Sequence, residues 1–156
     1  MCDRFSALVL TGFISLLPVR ADPPVGDFSR LVGEWKYVAM TVKGKKTDPK
    51  EIKNHRMLIA RDGAISIFEG KAQVAAGRIT KVDTGRKPMW IDCVLAGRNE
   101  FNGRFTPEVA QKGIFEVTRR KLTMCRTRNA KEEARPSAFA APPDKDLVLE
   151  EFERVQ

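Results

Sequence analysis

Few residues of this 156-residue chain have types and spacing that could do chemistry, and they are scattered. It holds one His, so a Ser-His-Asp triad, a two-His proton relay or a His-rich metal site would have to be built around His55. His55 follows Lys53 and Asn54, and no Cys, Asp or Glu stands near it at metal-ligand spacing. Its expected role is a local hydrogen-bonder. Beyond the first twenty-one residues the serines are Ser29, Ser66 and Ser137, none in a Gly-x-Ser-x-Gly or Ser-x-x-Lys context. The runs Glu132-Glu133 and Glu150-Glu151 with Glu153 read as solvated faces, so no two carboxylates are set across a cleft. A glycine-rich phosphate loop is missing too. The expectation is a protein that is not an enzyme, with no catalytic residue, no metal and no cofactor.

What the chain has in quantity is positive charge: 28 Lys and Arg against 20 Asp and Glu, a formal net charge of +8. Two clusters carry much of it. One is Lys43, Lys45, Lys46, Lys50, Lys53 and Arg56; the other is Arg119, Arg120, Lys121, Arg126, Arg128 and Lys131. Single-stranded nucleic-acid sites interleave such cations with aromatic rings, which these clusters lack, so nucleic acid is not expected. An anionic envelope polymer or lipid headgroup fits the charge better, against the plainer reading of solubilising turns.

Residues 1–21 read as a secretory signal peptide. Arg4 gives the positive end, Phe5 to Leu17 is a thirteen-residue uncharged run, Pro18 breaks it, and Val19 and Ala21 occupy the small-residue positions before Asp22. Thirteen residues span about 20 Å as a helix, short of the roughly 30 Å hydrocarbon core, so the run is not a membrane span. Export to the periplasm, envelope or exterior is expected after cleavage near Ala21-Asp22. Residues 22–30 read as a linker and 31–156 as one domain, a monomer with no transmembrane segment.

Strand-like periodicity dominates that domain. Strands are expected at Glu34–Val42, Arg56–Arg61, Ala64–Glu69, Lys71–Val82, Pro88–Leu95, Lys112–Thr118, Lys121–Arg126 and Leu147–Arg154. Asp62-Gly63 marks a tight hairpin and Gly77 a bend. Thr47–Lys53 reads as one short helix capped by Asp48, with Pro49 at its first position. Residues 96–112 read as a loop with an additional strand near Phe101–Phe105. The predicted class is all-β: an eight-stranded antiparallel up-and-down barrel with one short helix, an open sandwich being the alternative.

Gly33-Glu34-Trp35 resembles the Gly-x-Trp signature that opens the lipocalin barrel, where the Trp plugs the closed end and a late Arg lies across it. Gly33, Trp35 and Arg154 are the matching closure residues. More narrowly, the chain is similar to a lipocalin-like family of unknown function expanded in planctomycete bacteria. The matching stretches are Leu31-Val32-Gly33-Glu34-Trp35, Lys87-Pro88 with Ile91-Asp92, Gly113-Ile114-Phe115-Glu116, Leu122 with Cys125, and Arg135-Pro136 with Phe139. Phe115 departs from the family's usual Tyr, and Arg119-Arg120 from its often acidic turn. The resemblance implies fold and export and carries no activity.

A barrel of eight strands is just wide enough to be filled or to hold one small ligand. The leading expectation is a small apolar ligand bound among Trp35, Leu58, Ile65, Ile67, Ile79, Ile91 and Ile114, which requires a cavity of about 300 Å³ or more. The alternative is a filled barrel that contacts an anionic envelope component through its basic loops, in salt-sensitive binding lost when Lys45 and Lys46 become Glu. Export raises the question of a disulfide between Cys93 and Cys125. Alternation turns Cys93 inward with Ile91 and Leu95, and turns Cys125 outward, opposite to Leu122 and Met124. An intervening strand separates the two Cα atoms by about 10 Å, beyond the roughly 7 Å reach of a bridge. Two free thiols are expected.

Overall fold

The computed structural model describes residues 26–99, 102–129 and 134–156. The signal-peptide reading, the start of the linker, Phe101, Lys131 and Glu132-Glu133 lie outside the described residues.

A single 3-10 turn, Ser29–Leu31, leads into β1 (Gly33–Val42), β2 (Lys45–Lys46), α1 (Pro49–Ile52), β3 (His55–Ile59), β4 (Ala64–Glu69), β5 (Ala72–Asp83), β6 (Met89–Gly97), β7 (Val109–Val117), β8 (Lys121–Thr127) and β9 (Leu147–Arg154). Neighbours pair in the order β1-β3-β4-β5-β6-β7-β8-β9, every pair antiparallel, and β9 pairs back onto β1. Eight strands thus close into a barrel, as their pattern predicts, with no free edge among them. The two-residue β2 is an addition, folded back on the upper end of β1 through Lys43 and Gly44, whose φ angles of 49° and 75° suit a two-residue type I′ turn.

Local chemistry explains the connections. At Asp62-Gly63, Gly63 takes φ 85° and the Asp62 carboxylate accepts from Ala64 N at 3.0 Å. Asp48 caps α1 by accepting from Lys50 N at 2.8 Å. The extra strand expected near Phe101–Phe105 is one bridge, Arg98 to Phe105. The bend expected at Gly77 is a close approach of β5 and β6, where a Cβ would lie 1.9 Å from Val94 O. The linker reading also needs correction. Phe28 packs against the core, and a Cβ on Gly26 would meet Val82 O at 2.0 Å, so residues 26–30 are seated on the barrel's base.

Alternation sorts the side chains. Trp35, Ile59, Ile65, Ile67, Ile79, Ile91, Phe115, Leu122 and Phe152 fill the interior. Two of the expected cavity residues are not there. Leu58 is 40% exposed on the outer wall, because its neighbours Met57 and Ile59 take the inward positions. Ile114 also points outward, and Phe115 beside it points in. Ile114 is buried all the same, in a second cluster with Cys125, Ala141 and Leu147 against the outside of the barrel. Arg135 fastens that covering segment by donating to Ile91 O at 3.1 Å and Gly113 O at 2.7 Å and pairing with Asp92 at 2.5 Å.

Cys93 and Cys125 are both free and buried. Cys93 lies across from Gln111 of β7, and Cys125 across from Ile114 of the same strand, so β7 separates them. Burial pushes the Cys93 thiol up to about 11, and Cys125 is raised by the same cause while donating to Ala140 O at 3.3 Å. Denatured, unreduced protein that has been cleaved after Ala21 should therefore titrate two thiols, Cys93 and Cys125, and the native protein at neutral pH should label slowly at both. A crosslinked peptide holding both residues would contradict the strand order.

Candidate functional site

The barrel interior is asymmetric from end to end. At one end Trp35 is fully buried and its indole N–H donates to Leu31 O at 2.8 Å. The Arg154 guanidinium lies 4.1 Å from the ring centroid. Its N–H groups reach Val32 O and Arg30 O at 2.8 Å and Arg119 O at 3.1 Å, tying the last strand and the β7–β8 turn to the first strand. Gly33 makes room for this. It has φ 132°, and a Cβ there would lie 2.6 Å from Arg154 Nη1. Gly33, Trp35 and Arg154 thus seal one end.

Midway along the barrel the apolar filling stops at a polar layer. Arg126 of β8 and Glu150 of β9 face inward and form a paired fork: Nε to Oε2 at 2.7 Å and Nη2 to Oε1 at 2.8 Å. Their side chains are 12% and 3% exposed. Arg126 Nη1 also donates to Gln111 Oε1, and Gln111 Nε2 donates to Arg128 O at 3.4 Å. Tyr37 donates its hydroxyl to Glu150 Oε1 at 3.4 Å, with its ring against Phe152 at 4.4 Å and edge-on to His55 at 6.0 Å. Burial pushes the Tyr37 hydroxyl well above its ordinary range, reinforced by the Glu150 charge. For Arg126 burial works against the charge, but the Glu150 charge and hydrogen bonds outweigh it and hold the guanidinium protonated.

Beyond this layer the barrel is open. A cavity of about 500 Å³ is lined by Met40, Val42, Ile67, Leu95, Val109 and Val148, with Gln111, Arg126 and Glu150 contributing polar groups. Arg128 and Asp146 also line it, 3.3 Å apart, and Lys43 pairs with Asp146 at 3.3 Å. The site is an apolar-walled cup that presents a hydrogen-bonding surface to whatever enters. No protein-family model, curated protein or solved structure matches the chain. The cup's chemistry therefore rests on its own geometry.

Of the expected cavity residues, only Ile67 lines the cup. Trp35, Ile65, Ile79 and Ile91 belong to the packed core. Arg126 and Glu150 are corrections: neither is solvated, and Arg126 does not belong to a surface cluster. Strand parity could have found both, since Leu122, Met124 and Arg126 share one face of β8, and Val148, Glu150 and Phe152 share one face of β9. Trp90 faces outward, with Arg86 and Arg135 over its ring at 4.7 and 4.6 Å. Of the serines, Ser66 accepts from Gln73 at 3.1 Å on the wall. His55 meets Tyr37 only edge-on, and its buried Nδ1 has no hydrogen-bond partner among the described residues. No group of three or more His, Cys, Asp or Glu among the described residues could hold a metal, and no helix there is long and apolar enough to cross a membrane.

Proposed function

We propose that this protein is a non-catalytic, exported lipocalin-like domain that holds one small, largely apolar ligand in the open half of its barrel. The observation that carries the reading is the cup of about 500 Å³ with aliphatic walls, set above a filled and sealed half. That volume falls within the roughly 300–1,000 Å³ of small-molecule sites. The closed barrel with Arg154 stacked on Trp35 supports the lipocalin-like assignment, and the uncharged run Phe5 to Leu17 supports export. Native mass spectrometry of protein purified from its own host should show a retained small molecule that leaves on denaturation. Protein that carries nothing, and takes up no apolar probe, would contradict the reading.

A second reading, contact with an anionic envelope component through basic loops, draws on Lys45 and Lys46. They stand exposed on β2 beside a groove of about 850 Å³ that Asp48 and Glu51 also line. Those carboxylates offset part of the lysine charge, so the barrel cup is the stronger candidate.

A further inference from the structure

We propose that the ligand is an uncharged amphiphile, an alkyl chain ending in a carbonyl, carboxamide or hydroxyl, and that this polar end is received by Arg126 at the floor of the cup. This rests on the reading of the cup as a ligand site and goes further by specifying the ligand's head.

The inference comes from the floor's hydrogen-bond inventory. A guanidinium has five N–H donors. Arg126 directs Nε and one N–H of Nη2 to Glu150 and one N–H of Nη1 to Gln111. Two donors have no protein partner among the described residues, and Arg126 lines the cup. A plain hydrocarbon would bury them unsatisfied, which is unfavourable, and an acceptor on the ligand would satisfy them. The end group must therefore accept hydrogen bonds.

Charge then decides which acceptor. The fork with Glu150 already neutralises Arg126, with both carboxylate oxygens engaged. A ligand carboxylate at the floor would be a third charge close to the Glu150 carboxylate, on a guanidinium that Glu150 already neutralises. Desolvation and like-charge repulsion both oppose it. A carbonyl, carboxamide or hydroxyl brings the acceptor without the charge. At the rim Lys43 and Arg128 share the single carboxylate of Asp146, so one positive charge is left over there; it draws an anion to the rim, whereas a head seated at the floor meets the neutralised Arg126–Glu150 fork. The aliphatic walls from Met40 to Val148 take the chain.

The test is displacement of the uncharged fluorophore N-phenyl-1-naphthylamine from the full protein at pH 8 by three compounds of equal chain length: decanamide, decan-1-ol and decanoate. Decanamide and decan-1-ol should bind at least tenfold more tightly than decanoate. Equal affinities, or tighter decanoate, would overturn the head-group inference while leaving the cup a ligand site. If neither the fluorophore nor any of the three binds, the ligand-site reading falls and this inference falls with it. A second variant probes the cause. Glu150→Gln leaves Arg126 as an uncompensated cation, so decanoate should become the tightest of the three. An unchanged order in folded Glu150→Gln protein would contradict the assignment of the head to Arg126, and the wild-type series decides the matter even if that variant folds poorly.

Discussion

Replacing Arg126 with Leu should destabilise the protein by about 3–5 kcal/mol, because it leaves the Glu150 carboxylate buried without its cation. The magnitude follows from burial: Glu150 is 3% exposed at its side chain and, among the described residues, keeps only the Tyr37 hydroxyl, at 3.4 Å, as a side-chain partner. An exposed ion pair of the same geometry would be worth about 1 kcal/mol or less. The double replacement Arg126→Leu with Glu150→Leu should recover most of the loss, since two aliphatic side chains remove both charges from the barrel. Urea unfolding of the two variants measures the contrast. A loss under 1 kcal/mol for Arg126→Leu alone would mean that the layer is wet and that Arg126 does not form the floor of a dry cup.

Truncating Trp35 to Ala should cost about 3–5 kcal/mol, for a different reason. The ring is fully buried, so its removal leaves a cavity at the sealed end and exposes the face on which Arg154 stacks. Arg154 would still reach Val32 O and Arg30 O, but its guanidinium would lose the indole beneath it. The two substitutions act on different parts of the interior, one at the sealed base and one at the floor of the cup. Their effects should add to within about 0.5 kcal/mol. A Trp35→Ala cost below 1 kcal/mol in urea melts would contradict closure at the base.

How far the molecule was legible in its sequence depended on how each residue declares its surroundings. Asp62-Gly63 declares a turn because its backbone demands are unusual, whereas Gly33-Glu34-Trp35 pointed to the base only through the resemblance its Gly-x-Trp pattern carries. Cys93 and Cys125 could be assigned to opposite faces because Asp92, Leu122 and Met124 fix the parity around them. Leu58 and Ile114 were misplaced because apolar character marks burial and not side. Covered on both faces, β7 carries Ile114 and Phe115 side by side, each buried against a different cluster. The polar floor was hidden by its sequence neighbours. Glu150 stands in a run with Glu151 and Glu153, and Arg126 stands near Arg128, so both looked like solvated charge. Only their pairing across adjacent strands makes burial tolerable, and a pairing between β8 and β9 is not local. Gln111 was missed because β7 begins at Val109, earlier than its hydrophobic pattern.

The central claim is that the open half of the barrel, above Arg126 and Glu150, receives the ligand. Methyl NMR during titration with decan-1-ol tests it most directly. The account predicts saturable shifts of the Met40, Ile67, Leu95, Val109 and Val148 methyl groups, which line the cup, while Ile59 and Leu122, packed in the core below, stay in place. Unmoved methyl groups throughout, or a shift confined to Thr47 beside Lys45 and Lys46, would contradict it.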